Sequence, residues 1–335
     1  MNKRLGNILK FVLFLAIGLF FVYWFLLKLD ASQKEAIWQS FLSAQWGWVV
    51  LVMVVCLLSH LVRALRWQLL FKPLDIHPSL NNTFGAVMVT YLANLAFPRL
   101  GEVMRCAMLR TSEKIPIEKS LGTVVTERLI DMLMFVVVVV LGFLLMFGSV
   151  KDFIYDTLSQ KFSSLPTLAG IAAAGLVLLV LLFIAYRLLH KKLEHIKLYQ
   201  KIMELIHGCI DGVKSILHLG PKATLLFLLY SVTIYFLYIA GGWIILQAFG
   251  ETTHLGFATA FVIYLFGSVG MMISQGGLGA YPVLVWQALA IYGISEPTSL
   301  ACGWLLWGSQ QAIVIVVGLF YLIYFSLLKR KEASA

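Results

Sequence analysis

The chain twice interrupts a long apolar tract at the depth where a membrane helix least tolerates a break. Pro98-Arg99-Leu100-Gly101-Glu102, continuing to Arg105, stands in one tract. Ser274-Gln275-Gly276-Gly277-Leu278-Gly279, closed by Pro282, stands in another. An unpaired backbone group in hydrocarbon costs several kcal/mol, so such a break survives only where protein or a wet cavity supplies partners. Each charge at that depth adds about 2.5–3.5 kcal/mol on insertion scales. Two breaks, the first of them charged, point to a polar pathway through a bilayer.

The rest of the chain leaves little room for a soluble domain. Of 335 residues 61% are hydrophobic and 13% charged, with a mean hydropathy of +0.90. Apolar runs near 20 residues predict full spans over 8–28, 47–69, 121–147, 166–188, 223–249 and 299–325. The run from Phe11 to Leu27 ends in bulky residues rather than a small-residue cleavage site, so it reads as an uncleaved signal anchor. Cys56, Cys106, Cys209 and Cys302 are scattered, with neither metal nor disulfide spacing.

The net charge of +10 is sorted by side, which argues against nucleic acid. Placing the N-terminus, 63–128, 187–222 and Lys329-Arg330-Lys331 on one face leaves only Lys28, Lys34, Lys151 and Lys161 elsewhere. The positive-inside rule makes that face cytoplasmic, with both termini inside a bacterial-type plasma (inner) membrane. Segment 78–120 then begins and ends inside, and 257–297 begins and ends outside. The expected fold is all-α and polytopic: about six full transmembrane helices plus two oppositely oriented re-entrant hairpins forming an inverted repeat. Two ordinary short spans in each place would give the same end topology. The chain reads as one membrane domain, 1–335. It comprises an anchor and external segment (1–46), a first repeat (47–147, hairpin 78–120), a linking span with a basic helix (166–222), and a second repeat (223–325, hairpin 257–297). Within 191–217, Ile196, Tyr199, Met203, Ile206, Ile210, Val213 and Leu217 alternate three and four apart. That spacing predicts an interfacial helix on the anionic inner leaflet, with a short coiled coil as the alternative.

Charges gather around the first break. Arg63 and Arg66 share a face at the inner end of the second span, Arg99, Glu102 and Arg105 follow three apart, and Glu127, Arg128 and Asp131 open the third full span. Arginine's planar fork suits phosphate, and half-helix N-termini at Gly101 and at Gly276, Gly277 and Gly279 could add amide donors. The alternatives are that the acids pair with the arginines and pin helices together, or that Glu127 or Asp131 carries a proton. No Walker loop, GxSxG, HExxH or metal cluster is present, so the chain is expected to be neither an enzyme nor a cofactor or metal protein.

The stretch from Asn94 through Pro98-Arg99-Leu100-Gly101-Glu102 to Arg105 resembles the signature of the lysylphosphatidylglycerol synthase transmembrane-region (flippase-like) family. Thr126-Glu127-Arg128-Leu129-Ile130-Asp131 is similar to its Glu-Arg-x-x-Asp element, and Arg63-Ala64-Leu65-Arg66-Trp67 resembles the end of its second span. The resemblance covers nearly the whole chain. It implies a lipid-translocating membrane domain standing alone, without the aminoacyltransferase domain. The second break departs from the family pattern: Ser274-Gln275 precede the glycines, and Tyr281-Pro282 stand where a glutamate is usual. Gln310 and Gln311 add uncharged polar groups that could compensate.

These readings converge on a protein that binds or moves an anionic or zwitterionic lipid headgroup. The expected site comprises Arg63, Arg66, Asn94, Arg99, Gly101, Glu102, Arg105, Glu127, Arg128, Asp131, Gln275, Gly276, Gly277, Gly279 and Tyr281. The alternatives are a proton-coupled carrier of a soluble organic anion and a non-transporting scaffold for a lipid- or glycan-synthesising enzyme. The expected partner is a membrane phospholipid or other lipid, with self-association left open.

Overall fold

The computed structural model describes residues 31–96, 100–159 and 219–333. The anchor span 8–28, Arg99, the linking span 166–188 and the amphipathic segment 191–217 lie outside the described residues. Within them every regular element is helical. Helix α1 (Ala31–Ser43) precedes α2 (Trp46–Phe71), α3 (Leu80–Ala96), α4 (Leu100–Glu113) and α5 (Ile117–Ser159). After the undescribed stretch come α6 (Pro221–Leu246), α7 (Phe257–Ile273), α8 (Ala280–Ala290) and α9 (Glu296–Ala333).

Among the described residues, three helices are long and apolar enough to cross a membrane: Trp46–Leu74, Pro221–Leu246 and Glu296–Leu328. At 1.5 Å per residue, the 26 residues of α2 reach about 39 Å, more than a hydrocarbon core. Helix α5 continues beyond the expected 121–147 span. Residues 148–159, which lie between the expected spans 121–147 and 166–188, continue the same helix.

Local chemistry explains the helix ends. Pro221 opens α6, where its missing N–H costs nothing. Ser79 Oγ accepts the Asn82 amide (3.3 Å) at the start of α3. Between α7 and α8, Gly276, Gly277 and Gly279 take φ of 60°, 77° and 73° around the short 3-10 turn Gln275–Gly277. A side chain at these left-handed positions would strain the turn, which is why the break needs glycine.

Within each expected hairpin segment two helices pack on each other, α3 on α4 and α7 on α8. Approach within them is close: a Cβ on Gly101 would lie 2.3 Å from the Thr90 carbonyl oxygen, and one on Gly270 would lie 2.6 Å from Tyr281 Cα. Each unit is also clasped at its base by a glutamate on a serine. Glu113 Oε1 accepts from the Ser79 amide (3.0 Å) and hydroxyl (2.6 Å), and Glu251 accepts from the Ser295 amide (2.6 Å) and hydroxyl (2.7 Å). Burial disfavours ionised Glu113, but donation from Ser79 and Asn82 outweighs it and holds the carboxyl below the usual carboxylate range.

The packing repeats. Helix α2 lies along α3, as α6 lies along α7; α4 lies on α5, as α8 lies on α9. The exchanges between halves match as well: α3 packs on α9 while α7 packs on α5, and α2 and α6 pack on one another. Apolar cores fill the two ends of this assembly. One holds Val49, Val52, Ile245, Val285, Leu289 and Leu306, and the other holds Trp67, Phe71, Val87, Leu109, Val124 and Phe227. Helix α2 contributes residues 49–52 to one core and 64–71 to the other. The space between them is where the polar residues collect.

Candidate functional site

Glu127 is the centre of a buried ion network. Its Oε1 accepts from Arg63 Nη1 (2.9 Å) and Arg66 Nη2 (3.1 Å), and its Oε2 accepts from Arg105 Nη1 (2.7 Å). Asp131, one turn further along α5, takes the same two arginines of α2: Arg63 Nη1 at 2.6 Å and Arg66 Nη2 at 2.6 Å. The i, i+3 pair on α2 thus interlocks with the i, i+4 pair on α5, and Arg105 ties α4 to the same carboxylate. The Arg105 guanidinium also lies 3.5 Å from the centroid of the Trp67 ring, a cation–π contact made away from water. The side chains of Arg63, Arg66, Arg105 and Glu127 are at most 6% exposed.

Helix α6 completes the network with hydroxyls that sequence reasoning missed. Arg63 Nη2 donates to the Tyr238 hydroxyl (3.1 Å), Arg66 Nη1 donates to Ser231 Oγ (3.1 Å), and the Tyr235 hydroxyl donates to the Asp131 carbonyl. Residues 231, 235 and 238 are spaced four and three apart, which puts them on one face of the helix. That spacing was the available signal.

Arg128 stands at the edge of this network, its Nη1 3.9 Å from Asp131 Oδ2. Its Nη2 donates to Glu102 Oε1 (2.9 Å), and the pair is far more open, with side-chain exposures of 40% and 24%. Both line a cavity of about 570 Å³ between α2, α3, α6, α7 and α9. Val52, Cys56 and His60 give it one face of α2. Tyr91, Tyr238 and Tyr264 supply aromatic walls, with Tyr238 and Tyr264 stacked at a 6.2 Å centroid distance. Met271 and Met272 line it too, and they are 40% and 71% exposed, so the cavity reaches the outer apolar surface beside them.

The end of α3 and the second break meet at this cavity. Gln275 Nε2 donates to the Asn94 carbonyl (2.7 Å) and the Leu95 carbonyl (3.0 Å), satisfying carbonyls that the end of α3 would leave open. Asn94 Oδ1 in turn accepts the Gly101 amide (2.9 Å), capping α4. On the other side, the Gly276 carbonyl accepts from Trp307 Nε1 (2.7 Å) and Gln311 Nε2 (3.2 Å). Glutamine thus does at the second break what its position in the sequence left open: it bridges the two broken tracts.

The nominated residues therefore divide. Asn94, Glu102, Arg128, Gln275, Gly276 and Tyr281 line the cavity. Arg63, Arg66, Arg105, Glu127 and Asp131 form the adjoining network of ion pairs between α2, α4 and α5. Gly101, Gly277 and Gly279 shape the breaks. Among the described residues no group of histidine, cysteine and carboxylate side chains has a metal-binding arrangement.

No curated protein and no solved structure matches the chain. The family model described as "Lysylphosphatidylglycerol synthase TM region" matches residues 8–318. That span takes in the arginine–carboxylate network and both breaks, and the chain belongs to this family of lipid-related membrane proteins.

Proposed function

We propose that the chain is a non-enzymatic lipid transporter, in which a phospholipid headgroup enters the cavity between the two breaks while its acyl chains remain in the bilayer. The observation that carries this reading is the make-up of the cavity. An open, charged Arg128–Glu102 pair occupies an otherwise largely apolar and aromatic space that reaches the outer surface at Met271 and Met272. A headgroup phosphate would take Arg128 and the chains would leave past the methionines. The buried network fixes α2, α4 and α5 around that site.

The reading includes topology. The matched contacts of α2–α5 and α6–α9, and the paired glutamate clasps, support an inverted repeat with two re-entrant hairpins whose tips meet at mid-depth. Cysteines at Leu100 and Leu278, in a background free of native cysteine, should react with an impermeant reagent from opposite faces, Leu100 from the cytoplasm. Reaction of both from one face overturns the inverted pair.

The functional test is movement of a fluorescent phospholipid across vesicles holding the purified chain. Arg128→Gln should slow it about tenfold, the loss of one charge-assisted hydrogen bond, at normal folded yield because the side chain is partly open. Unchanged lipid movement overturns the site. Uptake of a soluble organic anion with no lipid movement favours the carrier reading instead.

A further inference from the structure

Among the described residues, the charged side chains lining the cavity are one arginine and one carboxylate, Arg128 and Glu102, 2.9 Å apart. The other described arginines of the constellation are committed elsewhere: Arg63, Arg66 and Arg105 sit on Glu127 and Asp131 in a buried lattice. Opening that lattice would strand buried charge, whereas the Arg128–Glu102 pair is partly open, so it is the pair a ligand can exchange. A ligand carrying only an anion would gain Arg128 and meet the Glu102 carboxylate beside it. A ligand carrying only a cation would meet Arg128. A headgroup bearing both charges, a few bonds apart, gives each protein group an opposite partner and leaves neither stranded. Two further observations agree. Glu102 Oε2 is a buried carboxylate oxygen with no hydrogen-bond partner, so that group keeps unused capacity. The cavity also presents the rings of Tyr91, Tyr238 and Tyr264, and aromatic faces favour an ammonium over an anion.

We infer that the cavity selects zwitterionic phospholipids, the phosphate on Arg128 and the ammonium on Glu102. This rests on the lipid-headgroup reading above and names the class within it. The test is native mass spectrometry of the purified full chain in micelles containing equal mole fractions of palmitoyl-oleoyl phosphatidylethanolamine, palmitoyl-oleoyl phosphatidylglycerol and dioleoylglycerol. Phosphatidylethanolamine should be retained over phosphatidylglycerol by about tenfold, the worth of one charge-assisted hydrogen bond. Glu102→Gln should bring the ratio near one, Glu102→Asp should restore part of it, and Arg128→Gln should weaken both phospholipids. The wild-type ratio is decisive even if a variant folds poorly. Phosphatidylglycerol retained equally or better overturns the zwitterion assignment while leaving a phosphate site standing. Dioleoylglycerol retained as well as both phospholipids overturns the headgroup site itself.

Discussion

Glu127→Gln should cost about 3–5 kcal/mol of stability, because it breaks a buried charge network by removing its central acceptor. Glu127 takes Arg63 and Arg66 on one oxygen and Arg105 on the other. Glutamine keeps one acceptor oxygen. Its amide nitrogen would face either the α2 arginines or Arg105, donor against donor. Arg105 suffers most, since Glu127 is its one ion-pair partner among the described residues and its other contact is the Trp67 ring. Asp131 still offsets Arg63 and Arg66, so Asp131→Asn, at a carboxylate 12% exposed, should cost less. The thermal midpoint of detergent-purified Glu127→Gln should fall by on the order of 10 °C. Adding Arg105→Met should recover part of that loss, because the stranded cation is removed along with its partner. A midpoint unchanged in the single variant would mean the arginines are free enough to serve a ligand, and the division between pins and cavity residues would fail.

How far the sequence reveals this arrangement depends on the range of each interaction. Helices α2, α6 and α9 were readable because a span needs a long apolar run, which single-residue hydrophobicity reports directly. The extension of α5 over 148–159 was not, since Lys151 and Asp152 end the apolar run without ending the helix. The breaks announced themselves through proline, charge and glycine. Spacing also placed Arg63, Arg66, Glu127 and Asp131 at one depth, but it left the pairing open. Seen as a list, the arginines outnumber the acids and look free for phosphate. In the fold, two carboxylates absorb three of them, Glu127 accepting from three arginines and Asp131 from two. Arg105 and Arg128 belong to the same charged group in the sequence, yet one lies sealed under Trp67 and the other faces the cavity. That difference is set by which side of α4 and α5 the neighbouring helices cover, and no local pattern records it. Gln275 is the extreme case. Its partners are Asn94 and Leu95, 181 and 180 residues away, and its meaning appears only when α3 ends against the second break.

That contact makes Gln275→Glu the second large prediction. The substitution keeps the side chain's size and replaces its two amide donors with a carboxylate that can only accept. The Asn94 and Leu95 carbonyls would lose their donor at the end of α3, at about 1–3 kcal/mol for each buried group left unmade. A negative charge would also stand against two carbonyl oxygens, so Gln275→Glu should be worse than Gln275→Leu, which removes the donors without adding charge. Trp307 and Gln311 still hold the Gly276 carbonyl, so the second break should keep its own shape while parting from the first. Hydrogen exchange in lipid nanodiscs should therefore quicken at residues 91–96, where α3 loses its cap, more than in α9 around residue 307. Lipid movement should change in the same variants, because the parted residues line the cavity. Faster exchange with unaltered transport would make Gln275 a structural cap alone. Exchange unchanged in both variants would mean that the packing of α3 on α9 holds the broken tracts together, and that the cavity is not closed by this side chain.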